Sequence, residues 1–193
     1  MVRAFISVDI PSEIKAELRF IVGELTTQIE GARIRWVKSD NMHLTLKFLG
    51  EIQIDLVQSI LGAVRKSVVH IDPFHVTLSQ VESFPPCKWP RVISFGVEGD
   101  LQMLGALQEN IENELKVLGL PKERRSFRPH VTLGRVRGGY IHQALDFSWV
   151  ALWQNMRWHI PHLKWLVNDV HLIRSVLTSS GVVYTKLESI SLQ

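Results

Sequence analysis

Apolar and polar positions divide this chain into short alternating stretches and three longer stretches of helical period. Residues 2–10 alternate and predict a strand. Pro11-Ser12-Glu13 carries the start signals of a helix running to about Gln28. Its apolar positions Ile14, Leu18, Ile21, Val22 and Leu25 have helical spacing, and Gly31 ends the connection. Residues 34–37 and 43–49 read as strands, and 54–69 as an amphipathic helix. Residues 74–83 and 92–97 read as strands around the loop Pro85-Pro86-Cys87-Lys88-Trp89-Pro90. A third helix over 101–118 is closed by Gly119 and then Pro121. A strand follows at 130–135, then a hairpin of 170–177 and 182–190 turning at Ser179-Ser180-Gly181. Trp149 and Trp153 are four residues apart and would share a helix face. With Trp158 and Trp165 they predict either a packed helix over a sheet or exposed indoles on which bases stack.

Two of the strands carry the same tetrapeptide pattern, His43-Leu44-Thr45-Leu46 and His130-Val131-Thr132-Leu133. Alternate residues of a strand share a face, so each motif sets an imidazole beside a hydroxyl. Leu44, Leu46 and Phe48 are expected on the opposite face, as are Val131 and Leu133. With 8 His and 7 Thr in the chain, chance gives roughly 0.3 His-x-Thr pairs by template counting. A third copy, His75-Val76-Thr77-Leu78, warns that the bare pattern is a moderate signal, because Thr favours strands for its own reasons. Context separates the copies. Lys47 and Arg128 are expected in strand register with the first and second motifs, whereas His75 has no cation among its neighbours in sequence.

The flanking residues carry a resemblance. Arg35-Trp36-Val37 followed by His43-Leu44-Thr45-Leu46-Lys47-Phe48-Leu49-Gly50, and Arg128-Pro129-His130-Val131-Thr132-Leu133-Gly134-Arg135, resemble the paired signatures of the 2H phosphoesterase superfamily, in its LigT-like branch of RNA 2′,3′-cyclic phosphodiesterases. Arg3 to Val8, Phe74 to Pro85, and Leu172-Ile173-Arg174-Ser175 with Gly181 and Tyr184 resemble other strands of that family; residues 138–168 depart from it. The resemblance implies an α+β fold: two antiparallel sheets backed by helices, related by a pseudo-two-fold, with a central cleft. The whole of 1–193 would then form one domain of two lobes, with one motif each.

Bulk properties narrow the function. Hydrophobic content of 46% and a mean hydropathy of +0.08 suit a packed protein, and the longest apolar runs fall short of a membrane span. A single cysteine, Cys87, excludes an internal disulfide and fits a reducing cytoplasm. The formal charge of +3 is modest, but Lys122, Arg124, Arg125, Arg128, Arg135 and Arg137 crowd around His130 against Glu123 alone. Such a run is either a solvated face or a tract for an RNA backbone. No Gly-rich nucleotide loop is present.

The chemistry follows from the motifs. Opening a 2′,3′-cyclic phosphate needs water deprotonated, the leaving ribose oxygen protonated and charge on the phosphate oxygens held. Two histidines suit the proton transfers because imidazole titrates near neutrality. Thr45 and Thr132 can donate to phosphate oxygens, and Arg128 and Arg135 are candidate phosphate clamps. The resemblance implies His43 as proton donor to the 3′-oxygen and His130 as the base, giving a 2′-phosphate; the motifs by themselves permit the reverse. No cofactor is expected. Neither motif has a carboxylate or cysteine in register for zinc; His159, His162, His171 and Cys87 form the best remaining cluster. A serine triad has no nucleophile-elbow support. The expected partner is an RNA with a 2′,3′-cyclic phosphate end, tRNA fragments included, met by a monomer away from membranes. The rival readings are a 2′–5′ RNA ligase running the reverse reaction, a small-nucleotide phosphodiesterase, and a non-catalytic RNA- or nucleotide-binding module.

Overall fold

A computed structural model describes residues 1–28, 34–85, 90–136, 163–179 and 181–193. In chain order the elements are β1 (Val2–Asp9), α1 (Ser12–Gln28), β2 (Ile34–Trp36), a 3₁₀ turn (Ser39–Asn41), β3 (His43–Ile52), α2 (Leu56–Ser67), β4 (Phe74–Phe84), β5 (Val92–Gly99), α3 (Leu101–Val117), β6 (His130–Val136), β7 (Lys164–Val167), β8 (Asp169–Thr178) and β9 (Gly181–Ser191). The strands pair antiparallel in the order β7-β4-β5-β6-β3-β1-β8-β9, with β2 against β6. The fold is therefore α+β. The two sheets expected are instead one curled antiparallel sheet, nine-stranded among the described residues, whose halves are joined at a single register pair, Leu44 of β3 with Val131 of β6.

The helices form where the periodicity places them. In α1, Ile14, Leu18, Ile21 and Leu25 are buried; in α3, Leu104, Leu107, Ile111 and Leu115 are fully so. Burying one such side chain stabilises the fold by about 1.5–3 kcal/mol. Asp100 caps α3 by accepting from the Met103 amide at 3.2 Å. Gly119, with φ of 81°, ends it in the left-handed conformation glycine tolerates best. The helices α2 and α3 pack on each other and cover the side of the sheet that carries Leu44, Val131 and Phe95. The other side is left for the site.

Strand register corrects two expectations about faces. Opposite β1, Ile6 pairs with Lys47 but Ser7 with Thr45, so Leu46 is an extra residue, a β-bulge. After a bulge the alternation reverses. Lys47 therefore turns away from His43 and Thr45, and its ammonium is buried, 2.7 Å from both Glu112 Oε2 and the Pro121 carbonyl. Phe48 swings instead onto the histidine face, pairs with Phe5, and stays exposed. The second motif repeats the device. Ile93 pairs with Gly134 but Ser94 with Thr132, so Leu133 is the extra residue. Gly134 then takes the place of Lys47, and Arg135 that of Phe48.

The strand β7 is an addition to the sequence reading. Trp165 lies in it, buried and paired with Val76 of β4. Trp149, Trp153 and Trp158, read as either a packed helix or base-stacking indoles, lie outside the described residues, as do Cys87, Arg137, His159 and His162.

Candidate active site

The seam between β3 and β6 brings the two motifs together. Because Leu44 faces Val131 in antiparallel sense, His43 falls across from Thr132, and Thr45 across from His130. The buried Leu44 and Val131 fix the other face, so all four polar side chains project from one side of the sheet. Cross-strand neighbours lie about 5 Å apart and diagonal ones about 7–8 Å. That is the scale of one phosphate group. The two imidazoles feel each other: charge on His130 counts against protonation of His43.

Each histidine is held by the same local device. Nδ1 of His43 lies 2.8 Å from the Asn41 carbonyl, and Nδ1 of His130 lies 2.8 Å from the Arg128 carbonyl. In both cases the acceptor sits two residues upstream, and an extended residue intervenes: Met42, with φ −76° and ψ 134°, or Pro129, whose ring fixes φ. A carbonyl can only accept, so Nδ1 carries the hydrogen and Nε2 is left to exchange protons. Thr45 and Thr132 are half-buried, and neither hydroxyl has a hydrogen-bond partner among the described residues.

The surroundings of the two rings differ. His43 stacks on Phe5, with centroids 4.5 Å apart at 23°, and meets the edge of Tyr184 at 5.3 Å. Burial pushes its pKa below the usual 6.5; the Asn41 carbonyl and the Asp9 carboxylate work upward, while Lys15 and His130 work downward. Asp9 is its cross-strand partner, and is itself held by Lys15 at 2.6 Å, the Ile10 amide at 2.9 Å and Lys186 at 3.6 Å. Burial works upward on the Asp9 carboxyl, but these partners outweigh it and hold its pKa below 3.8. His130 sits against Phe84, centroids 5.8 Å apart.

The expected clamps are placed unequally. The register proposed for Arg128 fails, because β6 begins only at His130. Its guanidinium instead lies over the Phe84 ring, 4.6 Å from the centroid, a cation–π contact beside His130. Arg135 pairs in register with Arg35 of β2. Sequence reasoning gave no role to Arg3, Arg35 or Tyr184. Burial raises the Tyr184 phenol, while Arg135, Arg3 and Arg35 pull it down, in that order of size, so three guanidiniums stand around one phenol. No ion pair engages any of the three among the described residues. The signal in the sequence was the recurrence of arginine at strand positions flanking both motifs.

The third motif stays apart. His75 and Thr77 lie on β4, two strands from β6, and pair with Leu166 and Lys164 of β7. They line a separate cavity of about 620 Å³ with Asp72, Asp100 and Lys164. His171, the described member of the alternative metal cluster, is buried with Nδ1 2.9 Å from Ser189 Oγ.

Paired histidine–threonine units across a sheet seam, beside arginines with no ion pair among the described residues, fit a phosphoesterase. The LigT-like phosphoesterase family model matches residues 8–94 and 97–184, and the chain belongs to that family. It is 30% identical over 187 residues, 97% of each chain, to an RNA 2′,3′-cyclic phosphodiesterase of Methanothermobacter thermautotrophicus. It is 31% identical to the protein of that name from Thermotoga maritima, over 96% of this chain and 92% of the other. The apo crystal structure of Escherichia coli LigT superposes with a TM-score of 0.74 at 23% identity, covering 100% of this chain and 98% of that one. No helix among the described residues is long and apolar enough to cross a membrane.

Proposed function

We propose that the chain hydrolyses RNA 2′,3′-cyclic phosphate ends to 2′-phosphates, using His43 and His130 as a general acid and base and no metal. The single observation that carries this reading is the matched clamping of both Nδ1 atoms by backbone carbonyls. It leaves two Nε2 atoms on the same sheet face as two threonine hydroxyls that have no hydrogen-bond partner among the described residues. The names of relatives in this family support the substrate.

The cyclic phosphate sits between the motifs, with Thr45 and Thr132 donating to its non-bridging oxygens. His130 Nε2 takes a proton from water as it attacks phosphorus. The bond to the ribose 3′-oxygen breaks, and His43 Nε2 protonates that oxygen. The burial that lowers the His43 pKa makes its imidazolium a stronger acid, and the arriving phosphate anion, with Asp9, supports the proton until it is needed. Arg3, Arg35 and Arg135 hold the next phosphate upstream, on the 5′ side of the terminal nucleotide, and Arg128 guards the side of His130. The two lobes act as one unit, working as a monomer in the cytoplasm.

The test is hydrolysis of a short RNA ending in a 2′,3′-cyclic phosphate with EDTA present, resolving 2′- from 3′-phosphate. EDTA-resistant formation of the 2′-phosphate supports the reading. Absence of turnover between about pH 5 and 9, the range in which imidazole changes charge, overturns it.

A further inference from the structure

One polar cluster on the histidine face is not used by the proton transfers. A bulge in β4 between Leu78 and Val81 turns both Ser79 and Glu82 toward that face. They converge over Gly96 of β5, the cross-strand partner of His130. A Cβ on Gly96 would stand 2.6 Å from Ser79 Oγ and 2.9 Å from Glu82 Oε1. A side chain at Gly96 would have to displace the ends of those two polar groups. Glu82 also pairs with Ser94, and Ser94 with Thr132, so carboxylate, serine and motif threonine form one row across three strands. The Ser94 hydroxyl is fully buried and has no hydrogen-bond partner. The Glu82 carboxylate likewise has no ion pair or hydrogen bond among the described residues. Two residues along the same face, Phe84 offers an aromatic ring flanked by Arg128 and His130.

We propose that Glu82 reads the Watson–Crick edge of the base on the terminal nucleotide and selects guanine; this rests on the cleft being an RNA-end site. An ionised carboxylate can only accept hydrogen bonds. Guanine alone among the four bases presents two adjacent N–H donors, N1–H and N2–H, matching the two carboxylate oxygens. Adenine and cytosine set one amino group beside an acceptor. Uracil sets one imide N–H between two carbonyls, which a carboxylate repels. The ring of Phe84 with the Arg128 guanidinium supplies the stacking surface on which unpaired RNA bases are held. The carboxylate stands about one strand spacing, about 5 Å, from the strand of His130, within reach of the base whose own ribose carries the cyclic phosphate. Ser94 lies beneath as a positioning residue, poised to donate to Glu82.

The experiment compares kcat/KM for short RNAs identical except for a terminal G, A, C or U bearing the cyclic phosphate. In parallel, guanosine and uridine 2′-monophosphate binding are measured by calorimetry, for the wild type and Glu82→Gln. The expected G-to-U ratio is on the order of ten- to a hundredfold, the range a bidentate base contact supplies, and in Glu82→Gln it collapses toward one. Should Glu82→Gln not fold, Glu82→Asp, which withdraws the carboxylate, must give the same loss. Equal rates for all four ends, or a G-to-U ratio unchanged in the variant, overturn base reading while leaving the phosphodiesterase standing. A guanosine preference in binding that the variant loses, with no hydrolysis of any end, upholds base reading and overturns the activity.

Discussion

Asp9 stands directly across from His43 in the pairing of β1 with β3, its charge shared with Lys15 at 2.6 Å and Lys186 at 3.6 Å. Its carboxylate acts upward on the His43 pKa, which burial pushes down. Asp9→Asn removes that support and leaves Lys15 unopposed, and both changes lower the His43 pKa further. An NMR titration of the ring is expected to show a pKa below 6.5 in the wild type and lower still in the variant. A rise in the variant would contradict the electrostatic account.

Acid stability follows from His43 and His171, whose pKa values are both lowered by burial. A lowered histidine pKa means the unfolded chain binds more protons once pH falls below 6.5. Their contribution is therefore fully present above that value and lost as pH drops toward the folded pKa, by about 1.4 kcal/mol per unit of pKa difference. Thermal midpoints are expected to fall from neutral pH to about 5.5 and to fall less in His171→Asn. An equal fall would show that His171 contributes nothing to acid sensitivity.

Lys47 was expected beside His43 and lies instead in a buried pair with Glu112. Removing one partner strands a buried charge. Lys47→Met is expected to cost about 3–5 kcal/mol in urea denaturation, and Lys47→Met with Glu112→Leu much less. Because Lys47 also holds the Pro121 carbonyl and Glu112 the Glu123 amide at 3.2 Å, the single variant should additionally loosen the segment leading to His130.

Arg35 and Arg135 form a register pair beside Tyr184, and neither has an ion-pair partner among the described residues. If they hold backbone phosphates, Arg35→Gln weakens binding of RNA single strands and flattens the salt dependence of log K by about 0.7. An unchanged slope would place Arg35 outside the RNA path.

The order of elements and the two histidine motifs that meet across the β3–β6 seam were legible because they depend on local periodicity and on a pattern repeated along the chain. The face of Lys47 was not, because a single extra residue at Leu46 reverses a period-two pattern, and nothing in Leu-Lys-Phe announces it. The same bulge at Leu133 turns Arg135 onto the histidine face, a geometry the alternation does not contain. The strand β7 escaped notice because it spans 4 residues and owes its existence to pairing with β4. Asp9, Glu82 and Tyr184 come near the motifs through register with distant strands, which spacing along the chain does not reveal.

The central claim is that His43 and His130 play opposite parts in one displacement. It is tested most directly by an RNA end whose cyclic phosphate carries sulfur in place of the 3′-oxygen, since a thiolate leaves without a proton. His43→Ala, inactive on the oxygen substrate, is expected to recover much of the wild-type rate on the sulfur substrate, and His130→Ala to stay inactive on both. Recovery by His130→Ala alone would reverse the assignment, and equal behaviour of the two variants would contradict the division of roles itself.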